Sequence, residues 1–155
     1  MNKEAENMEN MYLRVADASD MDLLFQWANE ALVRKNSFST RKITYKEHVE
    51  WYERLLKNEN SVQYILMYGE QPIGQARITL YGDIAEIGYS ICEDQRAHGY
   101  GKELLRMVTK QAWQEFPKIS KVIGKIKPEN IASLKAFSSA GYKEKYRVYE
   151  MQKSD

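Results

Sequence analysis

Arg96, His98 and Lys102 sit among two closely spaced glycines in the stretch Arg96-x-x-Gly99-x-Gly101. Glycines at this spacing let a backbone come close to a ligand. The run Ile84–Ile91 ahead of them reads as a strand, and Leu104, Leu105, Val108 and Ala112 behind them recur at helical spacing. The first N–H groups of a helix have no partner inside it, and its dipole favours an anion there. With three basic side chains beside the turn, the chemistry is that of a pyrophosphate cradle. The stretch lacks the Gly-Lys-Ser/Thr ending of a nucleoside-triphosphate loop and falls short of the three-glycine dinucleotide fingerprint.

The totals narrow the function classes. The chain has 155 residues, enough for one domain with a real core, and charged and hydrophobic fractions of 29% and 43%. Its net charge of +1 gives no basic excess for nucleic acid. One cysteine, Cys92, excludes an internal disulfide and fits a reducing compartment. Two histidines far apart give no metal-ligand spacing, so no metal is expected. No apolar run reaches the ~18 residues of a membrane helix. The first ten residues are polar and acidic and read as a flexible tail before a single domain over 11–155, and a cytoplasmic location is expected.

The elements that must position the cradle follow from periodicity. Tyr12–Val15 alternates as a strand. Ser19-x-x-Asp22 offers a capping box for a helix over 20–31, and residues 32–43 lose the period and read as a loop carrying Arg34, Lys35, Arg41 and Lys42. Thr44-x-x-Glu47 opens a helix to about Lys57 with His48, Trp51, Tyr52, Leu55 and Leu56 inward. Three strands near 62–68, 73–80 and 84–91 form an antiparallel meander. A helix over 100–114 ends before Pro117, a strand spans 119–126, a helix spans 131–140 with Gly141 as terminator, and a last strand spans 142–151.

This order, together with Arg96-x-x-Gly99-x-Gly101 and Asn130-x-x-Ser133-x-x-x-Phe137-x-x-x-Gly141-Tyr142, resembles the GCN5-related N-acetyltransferase (GNAT) superfamily along essentially the whole folded chain. The resemblance implies an α/β (α+β) fold: a mixed, mostly antiparallel, twisted sheet of about six to seven strands with helices on both faces. It implies acetyl transfer from acetyl-coenzyme A to a primary amine. Cofactor contacts are then expected from Ile91, Glu93, Arg96, His98, Gly99, Tyr100, Gly101, Lys102, Asn130, Ser133, Lys135 and Phe137. The family's fourth and fifth strands splay to admit the pantetheine arm, which places that gap between 84–91 and 119–126. Glu86 is the expected general base, with Glu93, Asp94 and Glu129 as rivals. Many family members protonate the leaving thiolate with a tyrosine where this chain has Phe137; Tyr100, Tyr142 or water are the substitutes.

The acceptor half, Trp27-x-Asn29 through Arg34, Ser37, His48 and Trp51, is similar to acetyltransferases acting on the 4-amino group of UDP-linked amino-deoxy sugars on the way to pseudaminic acid. The cationic loop of Arg34, Lys35, Arg41 and Lys42 suits a substrate carrying phosphates, with Arg34 and Ser37 expected to bind it. The likeness implies a contact from His48 to a sugar hydroxyl or near the amine and ring stacking by Trp51. Part of the pattern is shared with ribosomal-protein N-terminal acetyltransferases, so a peptide amine is the alternative acceptor. A catalytically silent coenzyme-binding module is the third reading, and a homodimer is compatible with all three.

Overall fold

The computed structural model describes residues 9–154. Of the tail expected over 1–10, residues 1–8 lie outside the described residues. In chain order the elements are β1 (Met11–Val15), α1 (Met21–Ala28), α2 (Ala31–Asn36), α3 (Tyr45–Lys57), β2 (Ser61–Tyr68), β3 (Gln71–Tyr81), β4 (Ile84–Ile91), α4 (Tyr100–Glu115), β5 (Lys121–Ile123) and α5 (Ile131–Ser139). The strands lie side by side in the order β1-β2-β3-β4-β5. The first four are antiparallel, and β5 runs parallel to β4.

Strand alternation gives the sheet two different faces. Tyr64, Leu66, Ala76, Ile78, Ala85, Ile87 and Ile91 point one way and bury against Leu104, Leu105, Val108 and Ala112 of α4. Each of those α4 side chains is sealed from solvent, worth about 1.5–3 kcal/mol for a leucine or valine. On the opposite face, Ile65 and Met67 pack with Leu24 of α1 and Tyr52 and Leu55 of α3. Next to that second core the sheet face turns polar, with Gln63, Gln75, Arg77 and Ser90 in register across β2, β3 and β4. Two layers of helix thus sandwich the sheet, and only part of one face is committed to core.

The helix ends show which local signals act. The capping box in front of α1 is Asp17/Asp20 rather than Ser19/Asp22: Asp17 Oδ1 accepts from Ser19 N at 2.8 Å and Asp20 Oδ2 from Asp17 N at 2.9 Å. The single helix expected over 20–31 is broken at Asn29–Glu30, and a second helix, α2, occupies part of the expected loop. Glu30 restarts it by accepting from Val33 N at 3.2 Å. With six residues and none of them buried, α2 carries no apolar stripe for periodicity to reveal. Thr44 caps α3 as expected, accepting from Glu47 N at 3.2 Å, and Gly141 follows α5 in the left-handed region at φ 98°.

The sheet has five strands rather than six or seven. The strand expected over 119–126 is confined to Lys121–Ile123, and 142–154 form no strand at all. Within that last segment Val148, Tyr149 and Met151 are 81%, 88% and 97% exposed. Alternation makes a segment eligible for a sheet, but pairing needs an edge to pair with. Three residues of β5 offer few ladder bonds, and the segment instead makes a local contact between Arg147 Nε and Glu144 Oε1 at 2.9 Å.

Candidate active site

Strands β4 and β5 pair only at Ile84–Lys121, Ala85–Val122 and Glu86–Ile123, after which β5 ends. Beyond Glu86, β4 has a neighbour on one side only. Cys92 N donates to Ile73 O at 2.9 Å, which fixes the alternation: amides of even-numbered residues face β3. The C=O of Ile87, both backbone groups of Tyr89 and the N–H of Ile91 therefore face the splay. A cavity of about 1300 Å³ opens along it, running from α1, α2 and α3 across β4 to the start of α4 and to α5. Among its lining residues are Arg34, Ser37, His48, Trp51, Glu86, Ile91, Arg96, Gly99, Tyr100, Gly101, Lys102, Asn130, Ser133, Lys135 and Phe137.

At the coenzyme end the turn into α4 winds through two left-handed residues, Ala97 at φ 66° and Gly99 at φ 78°. Ala97 is a non-glycine in a region that L-residues avoid, and its strain helps curl successive N–H groups into an anion-binding concavity. A Cβ on Gly101 would come 3.4 Å from the ring of Tyr89, so the turn is packed from below and open above. Lys102 lines the cavity beside it. This is a site that fits a pyrophosphate, followed by a strip of unpaired strand backbone that fits an amide-bearing arm.

Arg96 lines the cavity and spends most of its donors on the protein. Its guanidinium grips Glu30 in a bidentate pair, NH1 to Oε1 at 3.0 Å and NH2 to Oε2 at 2.6 Å, while Nε donates to Ile91 O at 3.1 Å. The guanidinium holds the Glu30 carboxyl below its usual range. One side chain thus joins the coenzyme turn, the end of β4 and the N-terminus of α2. His98 is exposed and tilted against Tyr100, with ring centroids 5.4 Å apart, and lies outside the cavity lining. Glu93 lines a small adjoining hollow with Trp27, Cys92 and Arg96 instead.

On the α5 side, Asn130 Oδ1 accepts from Ser133 N at 3.2 Å, so its carbonyl caps the helix and its amide is left to face the cavity. Ser133 Oγ lies 2.9 Å from the Tyr89 hydroxyl. Phe137 is buried, edge-on to Tyr89 and to Tyr142 at 5.8 and 4.9 Å. Gly124 is what admits it, since a Cβ there would fall 2.3 Å from the phenyl ring. Tyr142 is committed to Thr109 Oγ1 and is absent from the cavity lining.

Glu86, the last residue of β4 paired with β5, stands at the mouth of the splay on the acceptor face. Lys125 Nζ approaches its Oε1 at 3.0 Å as an ion pair rather than an aligned hydrogen bond, so that buried oxygen keeps acceptor capacity. Of its rivals, Glu93 lines only the adjoining hollow, and neither Asp94 nor Glu129 lines the cavity.

The acceptor end differs from expectation in who is free. Arg34 donates from Nε to Ala28 O at 2.6 Å, from NH1 to Ser39 O and Arg41 O at 3.0 and 3.3 Å, and from NH2 to Ser37 Oγ at 3.1 Å. Ser37 Oγ in turn donates to Val33 O at 2.6 Å. Four of five guanidinium donors thus organise the loop, leaving little for a phosphate. Asn29 holds the same loop from the other side, exchanging 2.8 Å bonds with both backbone groups of Ile43. His48 is buried, with Nε2 2.8 Å from Met21 O and its ring stacked on Tyr52. Burial pushes its pKa down, so the ring is neutral near pH 7. It props up Trp51, 5.6 Å away between centroids, which does face the cavity.

Four functional candidates carry no motif in the sequence: Gln63, Gln75, Arg77 and Ser90. Gln63 Nε2 donates to Gln75 Oε1 at 2.7 Å, and Gln75 Nε2 to Ser90 Oγ at 3.0 Å, forming a polar floor. The signal was there as three consecutive strands each placing polar residues on the face shared with Ile65 and Met67. It becomes readable only once strand register is known.

Residues 10–143 match the Acetyltransferase (GNAT) domain family, and the chain belongs to that family. A curated relative, the uncharacterized N-acetyltransferase YfmK of Bacillus subtilis (strain 168), is 27% identical over 93 residues, 60% of this chain and 62% of that protein. The match thus spans about three-fifths of that relative's length. Among solved structures, spermidine N-acetyltransferase from Vibrio cholerae with CoA and spermine superimposes with a TM-score of 0.84 at 14% identity, covering 92% of this chain and 86% of that one. Aminoglycoside acetyltransferase AAC(6')-Ib with coenzyme A and kanamycin gives a TM-score of 0.78 at 21% identity, covering 89% and 87%. RimL, the ribosomal L7/L12 alpha-N-protein acetyltransferase with coenzyme A, gives 0.73 at 17% identity, covering 85% and 79%. At these identities the likeness is one of fold.

Proposed function

We propose that this chain transfers an acetyl group from acetyl-coenzyme A to a primary amine on a small polar molecule. The observation that carries the reading is one continuous cavity: an anion cradle at one end, a polar acceptor floor at the other, and Glu86 where the two meet at the strand splay. The coenzyme supplies an activated acetyl thioester. The chain's part is to align it, using the α4 turn and the free edge of β4, so that attack is effectively unimolecular. An N–H of that edge would stabilise the oxyanion.

In the transfer the acceptor nitrogen forms a C–N bond to the acetyl carbon as the C–S bond breaks. Glu86 takes the proton that the nitrogen sheds, directly or through water. Tyr89, which lies between Ser133 and Phe137 in the cavity wall, is the phenol that would protonate the thiolate. Burial raises its pKa, which keeps it protonated and able to donate. It fills the role left open by Phe137.

The finer reading is a nucleotide-linked amino sugar as acceptor, with Trp51 against a ring and the Gln63–Gln75 floor beneath the hydroxyls. A peptide acceptor such as a cationic N-terminal chain calls for an acidic groove. Here the two carboxylates lining the cavity, Glu47 and Glu86, are each held by a cation, which favours the small molecule. Thiol release from acetyl-coenzyme A, with a UDP-linked 4-amino sugar and a short peptide amine in parallel, tests this. Turnover is expected on the sugar; turnover on the peptide alone would discard the small-molecule reading. Tight coenzyme binding with no thiol release from any amine would favour the silent module.

A further inference from the structure

Arg77 lies in the middle of β3, opposite Gln63 on β2 and Gly88 on β4. Its guanidinium carbon sits 5.0 Å over the centre of the Trp51 ring, and the side chain lines the cavity. A cation–π contact of this kind engages the charge of the guanidinium and uses none of its N–H donors. Among the described residues none of those groups has a hydrogen-bond or ion-pair partner. Beside them the floor is open, because Gly88 has no side chain and a Cβ there would meet nothing within 4 Å.

Arg77 is half-buried in the cavity wall, and its guanidinium stays charged at any physiological pH, so its unpaired N–H groups are open to an anion entering the cavity. Burial lowers its pKa, with Tyr81 and Glu86 the groups that act the other way. Neither carboxylate on the cavity wall forms an ion pair with it. Glu86 is paired with Lys125 at 3.0 Å, and Glu47 with Arg41 at 3.0 Å. Arg54, one turn along α3 from Trp51, adds a second cation at the rim with no partner among the described residues.

We infer that Arg77, stacked on Trp51 over the Gly88 gap, is an anion-recognition subsite, and that the acceptor carries an oxyanion, a phosphate or carboxylate, together with its amine. This rests on the proposed acetyltransferase reading and deepens it by naming the acceptor's charge. It separates this chain from the polycationic molecules seen with two fold relatives, spermine and kanamycin. An unpaired cation beside the acceptor floor repels a polycation as it attracts an oxyanion.

Two measurements test it. The first is independent of turnover: protein saturated with coenzyme A, so that the α4 cradle is filled, is titrated with UDP and with glucosamine 6-phosphate, reading tryptophan fluorescence. Wild type should bind at least one, and Arg77→Gln should weaken it by about ten- to a hundredfold while leaving the coenzyme dissociation constant unchanged as a folding control. The second compares matched acceptors: glucosamine 6-phosphate against glucosamine, and phenylalanine against phenylalaninamide, with spermidine and kanamycin alongside. The anionic member of a pair should win, the phosphate or carboxylate pair saying which oxyanion is read, and Arg77→Gln should bring that ratio near one. Equal binding by wild type and Arg77→Gln, no binding by wild type, or preferential turnover of spermidine or kanamycin would overturn the anion subsite. Turnover of spermidine or kanamycin would still leave acetyl transfer intact, whereas absence of coenzyme binding would remove the parent reading itself.

Discussion

The coenzyme end and the acceptor end of the cavity are built from different materials. The first is mostly backbone: the Ala97–Gly101 turn, the start of α4 and the bare edge of β4 past Glu86. The second is mostly side chain: Gln63, Gln75, Arg77 and Ser90 on the sheet, Trp51 above them. Backbone groups are the same in every sequence, so such a site suits a co-substrate shared by a whole family. Side chains can change one at a time without disturbing the strand beneath them, so the acceptor end is where one member can differ from another.

That contrast can be broken in graded steps. The largest effect is expected at Gly101, where valine would press on the Tyr89 ring and displace the turn that rests on it. Gly101→Val should weaken coenzyme A binding at least a hundredfold by calorimetry, about 2.7 kcal/mol or more, with circular dichroism unchanged. Glu86→Gln sits at the junction. It should lower kcat by about ten- to a hundredfold with coenzyme affinity intact, and activity should recover as rising pH deprotonates the acceptor amine. A kcat within twofold of wild type would remove Glu86 from the chemistry.

Smaller effects are expected where the two ends are tied together. Arg96 and Glu30 hold the coenzyme turn to α2, so loosening either should be felt at both ends. Glu30→Gln and Arg96→Met should each raise both coenzyme and amine KM a few-fold, and the double variant should be no worse than the single ones. Additive losses would mean the pair is not a unit. The mildest test is of pH and stability. His48 is buried neutral, so its folded pKa lies below the unfolded value of about 6.5. Its contribution is complete above that value and is lost as pH falls through it, because the unfolded chain then binds the proton first. Urea midpoints should decline as pH falls below about 6.5, less steeply in His48→Gln.

The same contrast explains what could be read from the chain before its structure. Gly99 and Gly101 announce the cradle because a backbone site leaves its mark as missing side chains. Helices α1, α3, α4 and α5, and strands β1 to β4, followed from period and caps. Arg96 was legible as a charge at the turn, but its partner, Glu30, is 66 residues away. Arg34 was half legible for a related reason: cations clustered in a loop look free until the carbonyls that claim them are in place. Arg77 was invisible because an arginine in a strand has no local signature. The strand expected at 142–151 failed on the opposite count, having the pattern without an edge long enough to receive it.

The unpaired side of β4 has a consequence for the molecule as a whole. Past Glu86 the sheet is held from β3 alone, so its inner strand is finished by whatever lies in the splay. A ligand that supplies those hydrogen bonds is part of the architecture as well as of the chemistry. Its concentration then sets how much of the chain is folded: at a hundred times its dissociation constant it contributes about 2.7 kcal/mol. In a cell, the resistance of the chain to unfolding would rise with the supply of its coenzyme.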